Sequence, residues 1–151
     1  MFDVGDIAPE FELLNSKEEP VKLSDHEGKR VILFFYPKAG TSGCTTQACG
    51  LRDNFPKIES ANATVVGVSP DEPDALAKWI DKENLPYTLL SDPDHAVADL
   101  YGVWGEKSMY GRKYMGIIRS HFVIDAEGKF EDIQFKVSPK NSIARALSVL
   151  G

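Results

Sequence analysis

The feature that most constrains the fold of this chain is an uninterrupted apolar run at residues 31–36, Val-Ile-Leu-Phe-Phe-Tyr, which ends at Pro37. A strand with one solvent-exposed face alternates apolar and polar residues, whereas a strand covered on both faces is apolar throughout. A membrane-spanning helix would need roughly twenty such residues. The run therefore predicts a central strand in a sheet that is covered on both sides.

Segments of strand and helix character alternate on either side of this run. The N-terminal half is predicted to contain a small hairpin of residues 11–14 and 21–23, a helix from 43 to 54 with a break near Pro56, a strand at 64–68 and a helix at 73–83. The C-terminal half is predicted to contain a strand at 88–90, a short helix at 95–101, an irregular stretch at 103–115, a second hairpin of 117–124 and 130–137, and a last helix capped by Asn141. This order predicts an α/β protein with a thioredoxin-like fold, in which helices flank a mixed central sheet and a β-hairpin precedes it.

The composition is that of one ordinary folded domain. Apolar residues make up 42% of the 151 residues, and neither a repeat nor a linker is visible, so we predict a single domain over residues 1–151. Seventeen Lys and Arg against twenty-three Asp and Glu give a net charge of −6. Without a basic cluster, neither nucleic acid nor a membrane is an expected partner. Residues 1–6 lack the pattern of a secretory signal, and we expect a cytoplasmic protein.

The chain has two cysteines, Cys44 and Cys49. Their spacing is neither the Cys-x-x-Cys of a dithiol redox motif nor half of a zinc site, and the histidines His26, His95 and His121 are distant in sequence. A structural disulfide is not expected in a reducing cytoplasm. The sequence thus predicts neither a metal site nor a bound cofactor.

Cys44 occupies an informative position, because it follows the buried strand and lies in the first turn of the predicted helix. Unpaired backbone N–H groups and the positive end of the helix dipole meet there, and both favour a thiolate over a thiol. A nucleophilic cysteine is the first interpretation. The alternative is that Cys44 is a small buried apolar residue, as most free cysteines are.

Four segments carry a resemblance to a known family. Residues 36–45, Tyr-Pro-Lys-Ala-Gly-Thr-Ser-Gly-Cys-Thr, resemble the active-site segment of the peroxiredoxins, with Pro37, Thr41 and Cys44 at the family's spacing. Cys49, within residues 44–53, resembles the second cysteine of the bacterioferritin comigratory protein subgroup, also called the Q type. Residues 102–107, Gly-Val-Trp-Gly-Glu-Lys, and 119–125, Arg-Ser-His-Phe-Val-Ile-Asp, are similar to the same subgroup.

The resemblance implies a thiol peroxidase that reduces hydrogen peroxide and organic hydroperoxides, with Cys44 as the peroxidatic residue. Such a site must stabilise a thiolate and the charge that develops on the departing peroxide oxygen. The Thr41 hydroxyl, the helix N–H groups and the guanidinium of Arg119 are the implied donors. Arg119 could instead form a surface ion pair. Pro37 would shield the sulfur, and Tyr36 is at least as suited to core packing as to catalysis.

Cys49 is implied to be the resolving cysteine, which condenses with the Cys44 sulfenic acid to form an intramolecular disulfide. The alternative is that Cys49 is inert and that another thiol resolves the intermediate. The resemblance also implies recycling by thioredoxin or a similar dithiol protein, and members of the subgroup are often monomeric.

Two residues depart from the subgroup's pattern. Ser42 stands where proline is common, so the active-site turn is expected to be looser or to gain a helix cap. His121 stands where threonine or serine is usual, and strand alternation directs it to the same side as Arg119. A histidine at such a position is most often packed and hydrogen-bonded.

Two other functions compete with a peroxidase. A thiol-disulfide oxidoreductase could use the same fold, but the Cys-x-x-Cys motif is absent and Thr41 and Arg119 would have no evident role in disulfide exchange. A redox-switch interaction protein could use the cysteine pair without turnover. Consumption of peroxide in the presence of a thioredoxin recycling system separates the three.

Overall fold

The computed structural model describes residues 2–151, which form nine strands in two sheets and five α-helices. The strands are β1 (Glu12–Asn15), β2 (Pro20–Lys22), β3 (Arg30–Phe35), β4 (Ala63–Ser69), β5 (Thr88–Ser91), β6 (Trp104–Met109), β7 (Arg112–Ile117), β8 (Ser120–Ile124) and β9 (Phe130–Gln134). The helices are α1 (Ser42–Asp53), α2 (Phe55–Ser60), α3 (Pro73–Glu83), α4 (Ala96–Leu100) and α5 (Pro139–Leu150).

The main sheet has seven strands in the order β2-β1-β5-β4-β3-β8-β9. Strand β3 lies inside it, parallel to β4 on one side and antiparallel to β8 on the other. The apolar run thus forms a central strand, as predicted. The expected N-terminal hairpin is β1 and β2, and β1 joins the main sheet by pairing with β5. The sheet is therefore mixed, also as predicted.

The side chains of β3 alternate between two hydrophobic clusters, one on each face of the sheet. Val31, Leu33 and Phe35 belong to the cluster that also takes in Val97 and Ala98 of α4. Ile32 and Phe34 point the other way, into a cluster closed by residues of α1, α2, α3 and α5. This second face holds Cys44, so the fold places the cysteine between the sheet and its helical layer. No helix within residues 2–151 is long and apolar enough to cross a membrane.

The prediction of an irregular stretch at residues 103–115 is wrong. Strands β6 and β7 form an antiparallel hairpin there, with Met109 opposite Arg112 across a two-residue turn. Both turn residues, Tyr110 and Gly111, have positive φ, as such tight turns require. Much of the hairpin is exposed, so it lacks the apolar alternation by which a half-buried strand is detected.

Two helix boundaries differ from their predictions. Ser138, rather than Asn141, caps α5, because its hydroxyl accepts a hydrogen bond from the Asn141 N–H. The break near Pro56 lies at Asn54, between α1 and α2. Gly50 allows α1 to approach α5 closely, since a Cβ atom at Gly50 would overlap Ile143 Cδ1.

Candidate active site

Cys44 lies in the first turn of α1, on the buried face of the helix, with 1% of its surface exposed. The first main-chain hydrogen bond of the helix runs from the Thr45 N–H to the Thr41 carbonyl. The N–H groups of Ser42, Gly43 and Cys44 precede it, where a helix leaves its donors without an intrahelical acceptor. The sulfur therefore lies at the positive end of α1, as the sequence predicted.

Arg119 precedes β8 directly, and its side chain reaches the first turn of α1. Its Nη2 donates a hydrogen bond to Cys44 Sγ at 3.2 Å, and its Nη1 donates one to Gln47 Oε1 at 2.6 Å. Gly43 leaves room for this approach, because a Cβ there would lie 3.2 Å from Nη2. The guanidinium of Arg119 thus contacts the Cys44 sulfur through Nη2, and Gln47 of the same helix holds it in place through Nη1.

The loop between β3 and α1 is braced by its own hydrogen bonds and by a neighbouring acid. The Thr41 hydroxyl donates to the Lys38 carbonyl at 2.8 Å, and Thr41 itself is exposed at the N-cap without a side-chain cap bond. The Ala39 N–H donates to Asp71 Oδ2 at 2.8 Å. Gly40 turns the chain with a φ of +83°. The structure therefore places the Thr41 hydroxyl on the loop carbonyl rather than on Cys44.

Three further residues singled out by the sequence lie around this loop. Pro37 is half-buried where β3 runs into the loop. Tyr36 is fully buried, and its ring stacks on Phe34 at 5.2 Å, so it packs in the core. Ser42 is exposed as the first residue of α1. The bracing by Asp71 limits the looseness that serine was expected to give this turn.

A groove of about 690 Å³ opens beside Arg119. Lys107 of β6 and the apolar side chains of Ile118, Phe135 and Val137 help to line it. Burial lowers the pKa of Lys107, and the nearby Arg119 lowers it further, whereas Cys44 acts in the opposite direction. The groove gives a small molecule with an apolar part a path to the guanidinium.

Cys49 is half-buried and contacts a different element from Cys44. Its Sγ donates to Glu83 Oε1 of α3 at 3.6 Å, while Arg52 donates to the Glu83 carbonyl at 2.6 Å. Burial raises the pKa of Cys49, an effect that Arg52 opposes and Glu83 strengthens. Both cysteines are free. The structure therefore brings Cys44 and Arg119 together and leaves Cys49 apart from them.

His121, the second departure from the subgroup's pattern, is buried in β8 and hydrogen-bonded at both ring nitrogens. Nδ1 lies 2.8 Å from Ser142 Oγ of α5, and Nε2 lies 3.2 Å from Asp132 Oδ2 of β9. Within residues 2–151, no group of three or more His, Cys, Asp or Glu side chains is arranged to hold a metal ion.

Comparison with known proteins identifies the family. The model of the AhpC/TSA family matches residues 4–133. Peroxiredoxin Bcp of Escherichia coli is 50% identical over 141 residues, which cover 92% of this chain and 90% of the relative. The chain belongs to the AhpC/TSA family of peroxiredoxins.

Solved structures agree with this assignment. Peroxidoxin BcpB from Mycobacterium tuberculosis superposes with a TM-score of 0.87 at 34% identity, covering 99% of this chain and 97% of the other. A bacterioferritin comigratory protein from Xanthomonas campestris, described with alkyl peroxide reduction activity, has a TM-score of 0.86 at 31% identity, with coverage of 93% and 89%. The resemblance to the Q-type subgroup and the thioredoxin-like fold are both confirmed, and this peroxiredoxin is a thiol peroxidase.

Sequence reasoning missed three residues of the site in this peroxiredoxin: Gln47, Asp71 and Ser142. Gln47 follows Cys44 by three positions, so helical spacing already placed both on one face of α1. Its full burial is the sign that it has a polar partner inside the protein. Asp71 and Ser142 left no such signal, because their contacts join segments far apart in sequence.

Proposed function

We propose that this peroxiredoxin reduces hydrogen peroxide and organic hydroperoxides with Cys44 as its peroxidatic residue. The observation that carries the proposal is the 3.2 Å hydrogen bond from Arg119 Nη2 to Cys44 Sγ at the N-terminus of α1. A guanidinium and a helix N-terminus both favour the thiolate over the thiol. The same donors stabilise charge on the departing peroxide oxygen.

The reaction at Cys44 is a nucleophilic displacement at oxygen. The thiolate attacks one peroxide oxygen in line with the O–O bond, and the S–O bond forms as the O–O bond breaks. Sulfur is oxidised to a sulfenic acid, and the peroxide is reduced. The departing hydroxide or alkoxide takes up a proton and leaves as water or an alcohol. Arg119 is positioned to donate to the reacting oxygens, and the apolar side of the adjacent groove suits an organic hydroperoxide.

Two loop residues complete the proposed site. Thr41 acts through its hydrogen bond to the Lys38 carbonyl, which fixes the loop ahead of α1 and so the approach to the sulfur. Pro37 shields Cys44 from water and from bulk reductants. Its half-buried position beside the fully buried Tyr36 supports this role.

Cys49 is proposed to resolve the sulfenic acid. Its thiol attacks the Cys44 sulfur, the S–S bond forms as the S–O bond breaks, and the hydroxyl leaves as water with the thiol proton. Two observations support the assignment: Cys49 is the second free cysteine of the chain, and it lies on the same helix as Cys44.

A dithiol protein such as thioredoxin is the proposed reductant, since it returns two electrons and two protons to the disulfide. We further propose that the protein acts as a monomer, in keeping with its resemblance to the Q-type subgroup, whose members are often monomeric. Two free thiols that must be reduced again after each turnover suit a reducing compartment, which favours the cytoplasm.

A peroxide-consumption assay coupled to thioredoxin and its reductase tests this proposal. The wild-type protein should turn over hydrogen peroxide and an alkyl hydroperoxide, and Cys44→Ser should lose at least about nine-tenths of the rate. Reduction of insulin disulfides, measured in parallel, identifies a thiol-disulfide oxidoreductase. A protein that reduces insulin but not peroxide, or a Cys44→Ser variant that keeps more than about a tenth of the wild-type rate, would contradict the proposal.

A further inference from the structure

A line of buried hydrogen bonds leads from Arg119 into the protein, away from Cys44. Gln47 Oε1 accepts from Arg119 Nη1 at 2.6 Å, and Gln47 Nε2 donates to Ser142 Oγ at 2.9 Å. Ser142 Oγ in turn lies 2.8 Å from His121 Nδ1. Gln47, Ser142 and His121 are each at most 1% exposed, so no water competes for these groups.

The far end of this line is an acidic residue of β9. Asp132 Oδ2 lies 3.2 Å from His121 Nε2, and Arg145 of α5 donates to both carboxylate oxygens of Asp132. Burial acts to raise the pKa of Asp132, but hydrogen bonds from Arg145 and His121 outweigh it and hold the pKa below its usual value. Asp132 is therefore an ionised acceptor, and the hydrogen between it and His121 belongs to His121 Nε2.

The hydrogen on His121 Nε2 determines which groups donate in the hydrogen bonds of Ser142 and Gln47. Burial lowers the pKa of His121, although Asp132 acts in the opposite direction and Arg145 adds to the lowering. A neutral ring with its hydrogen on Nε2 presents a lone pair at Nδ1, so the Ser142 hydroxyl donates to His121. Ser142 Oγ then only accepts from Gln47. The amide NH₂ of Gln47 faces Ser142, and its oxygen faces Arg119.

This order has a consequence for Arg119. If the Ser142 hydroxyl were free, it could donate to Gln47 Oε1 and compete with Arg119 for that oxygen. The reversed amide would place an NH₂ group against a guanidinium, which has donors only. We propose that His121 is a positioning residue for the peroxide reaction: acting through Ser142, it fixes the Gln47 amide in the orientation that holds Arg119 against Cys44. The inference rests on the proposed role of Cys44.

Two substitutions of His121 separate this role from a merely structural one. In His121→Gln, the longer amide keeps an N–H donor for Asp132 but has no acceptor at the place of Nδ1. In His121→Asn, the shorter amide offers its oxygen near the place of Nδ1 and cannot reach Asp132. The Gln variant should therefore react with hydrogen peroxide about three to ten times more slowly than wild type, the effect of one hydrogen bond. The Asn variant should recover most of that loss.

The measurements are the second-order rate constant with peroxide and the urea-unfolding midpoint of each variant. Tyr101→Phe is the matched control, because it removes one hydrogen bond, to the Pro9 carbonyl, in the cluster on the other face of the sheet. It should lower stability without slowing the reaction. Rates that simply follow stability across the three variants, or a Gln variant as fast as wild type, would overturn the proposal.

Nitrogen-15 NMR of the wild-type imidazoles tests the hydrogen-bond order without any variant. We expect His121 to be neutral at pH 7 with its hydrogen on Nε2. A hydrogen on Nδ1, or a doubly protonated ring, would overturn the inference. The NMR measurement does not depend on turnover. A wrong hydrogen position on His121 would therefore overturn only this inference. A failure of the proposed role of Cys44 would instead appear as a wild-type protein that leaves peroxide intact.

Discussion

Cys44 and Cys49 lie on the same helix but face different parts of the protein: Arg119 contacts the first and Glu83 of α3 contacts the second. Five residues of regular helix rise about 7.5 Å and turn about 500°, which separates the two Cα atoms by about 8 to 9 Å. A disulfide tolerates less than about 7 Å. The two cysteines therefore cannot be joined while α1 (Ser42–Asp53) is intact.

Formation of the disulfide should unwind part of α1. We predict faster amide hydrogen exchange between residues 44 and 53 in the oxidised protein than in the reduced protein, because the intact helix is incompatible with the bond. Unwinding also takes time, during which a second peroxide can oxidise the sulfenic acid further. The Cys49→Ser variant lacks the resolving thiol, so its sulfenic acid persists. We expect this variant to accumulate sulfinic acid on Cys44 under excess peroxide, measured by mass spectrometry. Equal exchange protection in a disulfide-linked and a reduced α1 would contradict this account.

Replacement of Arg119 by lysine should slow the reaction with peroxide by roughly tenfold or more. Lysine keeps the positive charge but loses the planar fork that contacts Cys44 and Gln47 together. The rate is measured by rapid mixing under single-turnover conditions, with Arg112→Lys on exposed β7 as the matched control. A wild-type rate in the Arg119→Lys variant would reduce Arg119 to a structural ion-pair residue.

Neutralising Glu83 should make Cys49 more reactive. The carboxylate accepts a hydrogen bond from the Cys49 thiol, and it adds to the burial that raises the pKa of Cys49. In a Cys44→Ser background, Glu83→Gln should increase the rate of alkylation by iodoacetamide at about pH 8 by roughly threefold, because more Cys49 is ionised. Asp81→Asn, on the exposed side of α3, is the control and should leave the rate unchanged. An unchanged rate in Glu83→Gln would show that burial alone suppresses the thiolate.

Acidification should destabilise the protein partly through His121. Burial lowers the pKa of His121, so the unfolded chain, with a histidine pKa of about 6.5, takes up this proton before the native protein does. The contribution of neutral His121 to the free energy of unfolding is complete above about pH 6.5 and is lost as the pH falls toward the lowered native value.

Urea unfolding at about pH 7.5 and 5.5 measures this contribution. The loss of unfolding free energy between the two pH values should be smaller in His121→Gln than in wild type. His26, whose pKa is also lowered by burial, contributes in the same direction, so His26→Gln measures the share of the second histidine. A His121→Gln variant that loses as much stability as wild type would show that His121 does not titrate differently on folding.

Part of the fold and of the site could be predicted from the sequence because local patterns carry it. The apolar run of residues 31–36 specified the central strand, and the turn that follows specified the place of Cys44 at a helix N-terminus. The hairpin β6–β7 was missed because exposed strands carry little apolar pattern. The role of Arg119 was inferred from the resemblance alone, because no local sequence pattern indicates that Arg119 contacts Cys44, which lies 75 positions earlier.

The polar network behind Arg119 was not predictable for a related reason. Gln47, His121, Asp132 and Ser142 come from two helices and two strands, and their partners are set by how α1 and α5 pack on the sheet. Sequence alone indicated only that His121 and Arg119 share a side. The structure shows that Gln47 and Ser142 connect the two residues through hydrogen bonds.

Trapping of the sulfenic acid tests the central claim, that Cys44 attacks the peroxide, most directly. One equivalent of hydrogen peroxide is mixed with Cys49→Ser or Cys44→Ser in the presence of dimedone, and the adduct is located by mass spectrometry. We predict an adduct on Cys44 in the first variant, with peroxide consumed, and neither an adduct nor peroxide loss in the second. An adduct on Cys49, or peroxide consumed by Cys44→Ser at more than about a tenth of the wild-type rate, would contradict the account.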